Sequence, residues 1–143
     1  MDTSKNYIKM CRKADEVQSH WEPKNGDYFY GTPEDFADED LGKGVYRFFE
    51  CDDEYYSIMP LSYDVKAKEF IDETDAVRLP TQDELQNMLD FELPIDIIKE
   101  FSNWCSDLKV AMLERLQTIE QLWLGFVMMK NYQKSWNGKD WGK

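Results

Sequence analysis

The chain has 143 residues, with 29 Asp and Glu against 17 Lys and Arg, a net charge of −12, and 42% hydrophobic residues. That length and apolar content fit one folded domain with its own core and exclude global disorder. The acidic balance disfavours nucleic acid, whose phosphates call for clustered Lys and Arg, and the longest apolar run, Leu122 to Met129, is far too short to cross a bilayer.

The first segment, MDTSKNYIKM, is polar and has no signal-peptide core, so the expectation is a soluble protein of the cytoplasm. Apolar residues at Tyr7, Ile8, Cys11, Ala14, Val17 and Trp21 recur in steps of three and four and predict a helix over 5–20. Pro23, Asn25 and Gly26 then turn the chain into a short aromatic strand over 27–30. Residues 31–43 are acidic, hold a Thr-Pro turn and read as a loop. Strands are expected over 44–50 and 55–59, joined tightly through Cys51-Asp52-Asp53-Glu54 as a hairpin. Further short strands are expected at 70–71 and 76–79. A sheet of that size with one apolar face needs a helix to cover it.

The second half is helical. Thr81-Gln82-Asp83-Glu84 follows Pro80 as a capping box, opening a helix over 81–91 with Leu85, Met88 and Leu89 inward. Pro94 suits the first turn of the next helix, over 95–114. From Ile98 a heptad spacing runs through Phe101, Cys105, Leu108 and Met112, and resumes at Ile119, Leu122, Phe126 and Met129. Arg115 interrupts the seam and Thr118-x-x-Gln121 offers a second cap, so the chain is expected to break near Leu116 and fold back. The returning helix is placed at 118–136, with Tyr132 and Trp136 extending its stripe and Asn137-Gly138 ending it. Phe101, Leu108, Leu122 and Phe126 are the expected core of this pair. The fold class that results is α+β: a small antiparallel sheet over about residues 27–79, packed against an N-terminal helix and a C-terminal helical hairpin.

Signals for chemistry are weak. Cys11, Cys51 and Cys105 are odd in number and widely spaced, and His20 is the only histidine, so zinc sites and histidine-dependent nucleophiles lack their parts. From Glu34 to Glu54 nine carboxylates face Lys43 and Arg47. Taking Gly44 as the sixth position of a calcium loop puts Glu50 at the twelfth, but Leu41 and Lys43 then fall where ligands are needed, and the match fails. The paired carboxylates Asp38/Asp40, Asp72/Asp75, Asp83/Glu84 and Asp96/Glu100 do not recur on the last helix, which offers only Glu120. No cofactor is implied. After Lys130 the lysines Lys134, Lys139 and Lys143 alternate with Tyr132, Trp136 and Trp141, a pattern that suits either single-strand stacking or a capped, buried helix end.

Four segments carry a resemblance: Trp21-x-Pro23-x-x-Gly26-Asp27-x-Phe29, Leu79-Pro80-x-Gln82-Asp83-x-Leu85-Gln86-x-Met88, Glu120-Gln121-Leu122-Trp123-x-x-Phe126-Val127-Met128 and Trp136-x-Gly138-x-x-Trp141. In this order they resemble small phage- and prophage-encoded proteins of unassigned function, with an acidic insertion around Glu34 to Asp40 and Thr81 in place of a basic residue. The resemblance implies a host-cell cytoplasmic setting and supplies no mechanism.

The functional expectation is a non-enzymatic binding protein. It presents an acidic face of Glu34, Asp35, Asp38, Glu39, Asp40, Asp52 and Asp53 to a basic protein, without membrane or nucleic acid. The alternative is a small metal-dependent hydrolase of phosphate esters or nucleotides using Asp and Glu ligands. The long apolar stripe also predicts a homodimer through the C-terminal helices.

Overall fold

A computed structural model of the chain describes residues 1–31, 44–50, 55–59, 63–66 and 75–143. It is a mixed α+β protein whose chain divides into two compact units, one of residues 15–79 and one of residues 1–14 with 80–143.

The first unit holds a short helix, α2 (Asp15–Gln18), and an antiparallel sheet of β1 (Tyr28–Gly31), β2 (Gly44–Glu50), β3 (Tyr55–Met59), β4 (Tyr63–Lys66) and β5 (Val77–Leu79). The strand order is β4-β3-β2-β1-β5, a meander whose last strand returns beside the first. Phe29 opposes Tyr46 and Phe48 opposes Ile58, so these four buried residues share one face. Trp21 closes over it, 6.5 Å from the Phe29 ring and 6.1 Å from that of Phe48. The Trp21 indole donates to Asp27 Oδ2 at 2.8 Å, and the Lys24 amide donates to the same oxygen at 3.1 Å, which satisfies a carboxylate that is itself buried. The turn before β1 needs Gly26: its φ is +94°, and a Cβ there would lie 3.0 Å from Arg47 Nη2. On the opposite face Arg47 lies over the rings of Tyr28 and Phe49, at 5.1 and 4.9 Å.

Register puts Val77 and Leu79 on the face of Tyr28 and Tyr30, and both are buried. The sheet therefore buries residues on both faces beside β5, where a single apolar face was expected. The outer edge of β5 is closed from within the unit. The Gln18 carboxamide accepts from the Arg78 amide at 2.9 Å and donates to the Arg78 carbonyl at 3.1 Å, in the manner of one more strand residue.

The second unit is built around α6 (Ile119–Tyr132), in which Gln121 and every residue from Trp123 to Met128 are buried. A helix buried on all sides belongs at the centre of its unit. Against it lie α1 (Lys5–Arg12), α3 (Gln82–Asn87) and α4 (Pro94–Asp107), with a one-turn helix α5 (Val110–Leu113) after α4. Tyr7, Met10 and Cys11 of α1 are fully buried, and the Tyr7 hydroxyl donates to the Pro80 carbonyl at 2.6 Å. Thr81 and Glu84 form the expected capping box.

Several boundaries differ from expectation. The helix expected over 5–20 is two helices, because the chain passes at Ala14 from one compact unit to the other and each half buries in its own unit. The helix expected over 81–91 stops at Asn87. That expected over 95–114 breaks at Leu108, whose ψ of 130° is extended. The last helix ends at Tyr132, with Gln133 left-handed at φ 55°. Ser135–Trp136 (β6) and Trp141–Gly142 (β7) then pair as a hairpin in place of a helical end, and Asn137 Oδ1 accepts from the Lys139 and Asp140 amides in its turn. β4 was not foreseen. The strand expected at 70–71, the loop 31–43 beyond Gly31 and the 51–54 connection lie outside the described residues.

Candidate functional site

Of the seven carboxylates expected to form an acidic face, Glu34, Asp35, Asp38, Glu39 and Asp40 fall within 32–43, and Asp52 and Asp53 within 51–54; all seven lie outside the described residues, as does Cys51. The site visible in the described residues is on the helical unit.

There α4 lies against α6 through aromatic rings. Phe101 stacks on Trp123 with centroids 3.8 Å apart, and Trp104 and Phe126 are 5.5 Å apart. Gly125 admits this approach, since a Cβ there would stand 3.2 Å from Trp104 Cη2 and 3.3 Å from Leu116 Cδ1. Of the four residues expected in the core of this pair, Phe126 is buried, while Phe101, Leu108 and Leu122 are half-buried. The reason is visible in α4, which has no buried residue along its whole length. It touches α6 along a narrow line and leaves Ile95 and Ile98 exposed, with Leu93 before it and Val110 and Leu113 after it.

Along one side of that line runs an open groove of about 300 Å³, lined by Glu100, Asn103, Trp104 and Asp107 of α4 and by Phe126, Met129 and Lys130 of α6. Its floor is aromatic and its rim polar. Glu100 Oε2 pairs with Lys130 Nζ at 2.8 Å, and Asp96 with Lys99 at 3.7 Å, so each member of the Asp96/Glu100 pair has a lysine. Asp107 has no cation beside it among the described residues, and it is the last residue of α4, where the helix dipole disfavours negative charge. Cys105 is half-buried, and burial pushes its thiol up, away from the thiolate.

A second polar cluster joins the start of the chain to α6. Asp2 Oδ2 accepts from the Thr118 hydroxyl at 2.6 Å and from Gln121 Nε2 at 2.7 Å, and Asp2 Oδ1 accepts from the Ser4 amide at 2.7 Å. Gln121 Oε1 accepts from Asn6 Nδ2 at 2.9 Å and from the Gln117 amide at 3.0 Å. Burial by itself would raise the Asp2 carboxyl; the hydrogen bonds from Thr118, Ser4 and Gln121 together outweigh it and hold the group below its ordinary value. Every acceptor here is engaged within the fold, and the cluster is structural. Thr118 caps α6 as expected, while the Gln121 side chain bonds Asp2, Ser4, Asn6 and the amide of Gln117, the residue before the cap.

The C-terminal aromatics are also internal. Trp136 and Trp141 are buried 5.1 Å apart, Trp141 Nε1 donates to the Met10 carbonyl, and Lys9 lies over the Trp136 ring. They are not open to base stacking, and this tail packs on α1. His20 is exposed, its Nδ1 3.1 Å from the Glu16 carbonyl at the end of α2. No three His, Cys, Asp or Glu side chains among the described residues gather as metal ligands, and no helix there is long and apolar enough to cross a membrane.

No family model, curated protein or solved structure matches the chain.

The groove was missed from sequence although its signal is present. Glu100, Asn103 and Asp107 repeat at three and four residues, and Phe126, Met129 and Lys130 repeat at three and one. The heptad spacing placed Phe126 and Met129 in the seam and Glu100 in a carboxylate pair with Asp96, and it gave Asn103, Asp107 and Lys130 no part.

Proposed function

We propose that the chain is a non-enzymatic interaction protein that binds a basic protein partner through the helical unit. One observation carries this reading: α4 buries none of its residues and leaves Leu93, Ile95, Ile98, Val110 and Leu113 exposed in a chain of net charge −12. The exposed apolar side chains supply contact area, and selection for positive charge comes from residues 15–79, where 18 acidic side chains stand against 6 basic ones, since residues 1–14 and 80–143 carry 11 of each. The acidic residues between Glu34 and Asp53 strengthen the same preference through long-range attraction. The resemblance to phage-encoded proteins supports a host or viral protein as the partner and the bacterial cytoplasm as the setting.

Affinity capture with the full chain at low and high salt tests this. A basic protein retained at low salt, released at high salt and rebinding after purification is expected. Retention of acidic or neutral proteins alone counts against the reading, and tight stoichiometric Mg²⁺ or Mn²⁺ binding in a metal titration favours a metal-dependent hydrolase instead.

The same exposed residues favour a second reading, a homodimer through the C-terminal helices. Light scattering decides it: a mass of twice 17.0 kDa that grows with salt supports the dimer, and 17.0 kDa at every salt and concentration removes it.

A further inference from the structure

We infer that the groove between α4 and α6 receives an arginine side chain of the basic partner, its guanidinium over the Trp104 ring and against the Asp107 carboxylate. The inference rests on the interaction reading and adds the site and the recognised group.

Three features of the groove select that occupant. Trp104, half-buried and backed by the Phe126 ring 5.5 Å away, offers ring surface to a weakly hydrated planar cation, and Met129, itself 41% exposed, offers apolar surface to its stem. Glu100 already holds Lys130 at 2.8 Å, which leaves Asp107 as the carboxylate of the lining with no cation beside it among the described residues. Asp107 also ends α4, and the last turn of that helix holds no basic residue. A cation arriving there meets the carboxylate and the negative end of the dipole together. An anion or a neutral apolar side chain would meet the same groove without either attraction.

The test uses the ¹⁵N-labelled full chain and a short peptide carrying one arginine between leucines, with the citrulline peptide as its neutral counterpart. The readout is the indole N–H resonance of Trp104, assigned by its absence from Trp104→Phe. The arginine peptide is expected to shift that resonance saturably while leaving those of Trp136 and Trp141 in place. The citrulline peptide should bind about tenfold more weakly, having lost the charge for both the ion pair and the Trp104 ring. Asp107→Asn, with the rest of the spectrum unchanged, should weaken the arginine peptide about fivefold. No shift of Trp104, equal binding of the two peptides, or indifference to Asp107→Asn overturns the inference. If the captured partner still binds Asp107→Asn with the same salt dependence, the groove assignment falls while the interaction reading stands. If no basic partner is captured and the peptide still binds as described, the reverse holds.

Discussion

Phe101 of α4 lies flat on Trp123 of α6, their ring centroids 3.8 Å apart and their planes 7° apart. That stack, with Trp104 beside it, anchors a fourteen-residue helix that has no buried residue, and it is why α4 can be held in place and still be mostly open. Trp123→Ala should cost about 3 kcal/mol, because the ring is buried. Phe101→Ala should cost about 2 kcal/mol and act locally. Hydrogen exchange checks the difference: amides of α4 should lose protection in Phe101→Ala while those of α1 and α6 keep it.

Gly125→Val should destabilise by about 2 kcal/mol, since a branched side chain must displace Trp104 or the buried Leu116. Chemical denaturation gives the cost, and movement of the Trp104 indole resonance shows which neighbour yields. An unchanged resonance with no loss of stability would mean that α4 does not approach α6 so closely.

The Asp2 carboxyl is held below its ordinary value of 3.8 by its hydrogen bonds. A carboxyl lowered in the folded state adds stability that is present above the unfolded value and lost as pH falls through the folded one. Thermal unfolding should therefore lose part of its stability as the pH drops below about 4, and Asp2→Asn should flatten that limb. Asp2→Ala should cost about 2 kcal/mol at neutral pH, because it leaves the Thr118 hydroxyl without its acceptor and the buried Gln121 amide nitrogen with the Ser4 hydroxyl alone.

In the sheet unit, Asp27→Ala should cost about 2 kcal/mol by removing the acceptor of the Trp21 indole and the Lys24 amide. Near-ultraviolet circular dichroism should report Trp21 loosening over Phe29 and Phe48.

Local chemistry was legible where it acts alone. The Thr81–Glu84 capping box, the strands 44–50 and 55–59 and the fold-back before Thr118 all follow from residues within a turn of one another. What sequence hid depends on distant partners. Periodicity ran through Ala14 because Cys11 and Val17 are both buried, although in different units. The heptad was real in spacing but Ile98, one of its members, faces water, since α6 is one narrow neighbour and not two. Trp136 read as the end of a helical stripe, and its burial against α1 through a hairpin turns on the left-handed Gln133, for which sequence gives no signal. The groove combines residues from two helices whose crossing is set by Gly125 and Trp104, so no single segment announces it.

The most direct test of the account is the affinity of the purified captured partner for the wild-type chain and for Ile98→Asp, each measured by calorimetry at low and high salt. Ile98 is 56% exposed, so the substitution should leave the fold intact. The account predicts binding that weakens at least about tenfold from low to high salt in the wild type, and a further loss in Ile98→Asp at both salts. Affinity that ignores both salt and Ile98→Asp would contradict it, because neither the acidic surface nor the open face of α4 would then be where the partner binds.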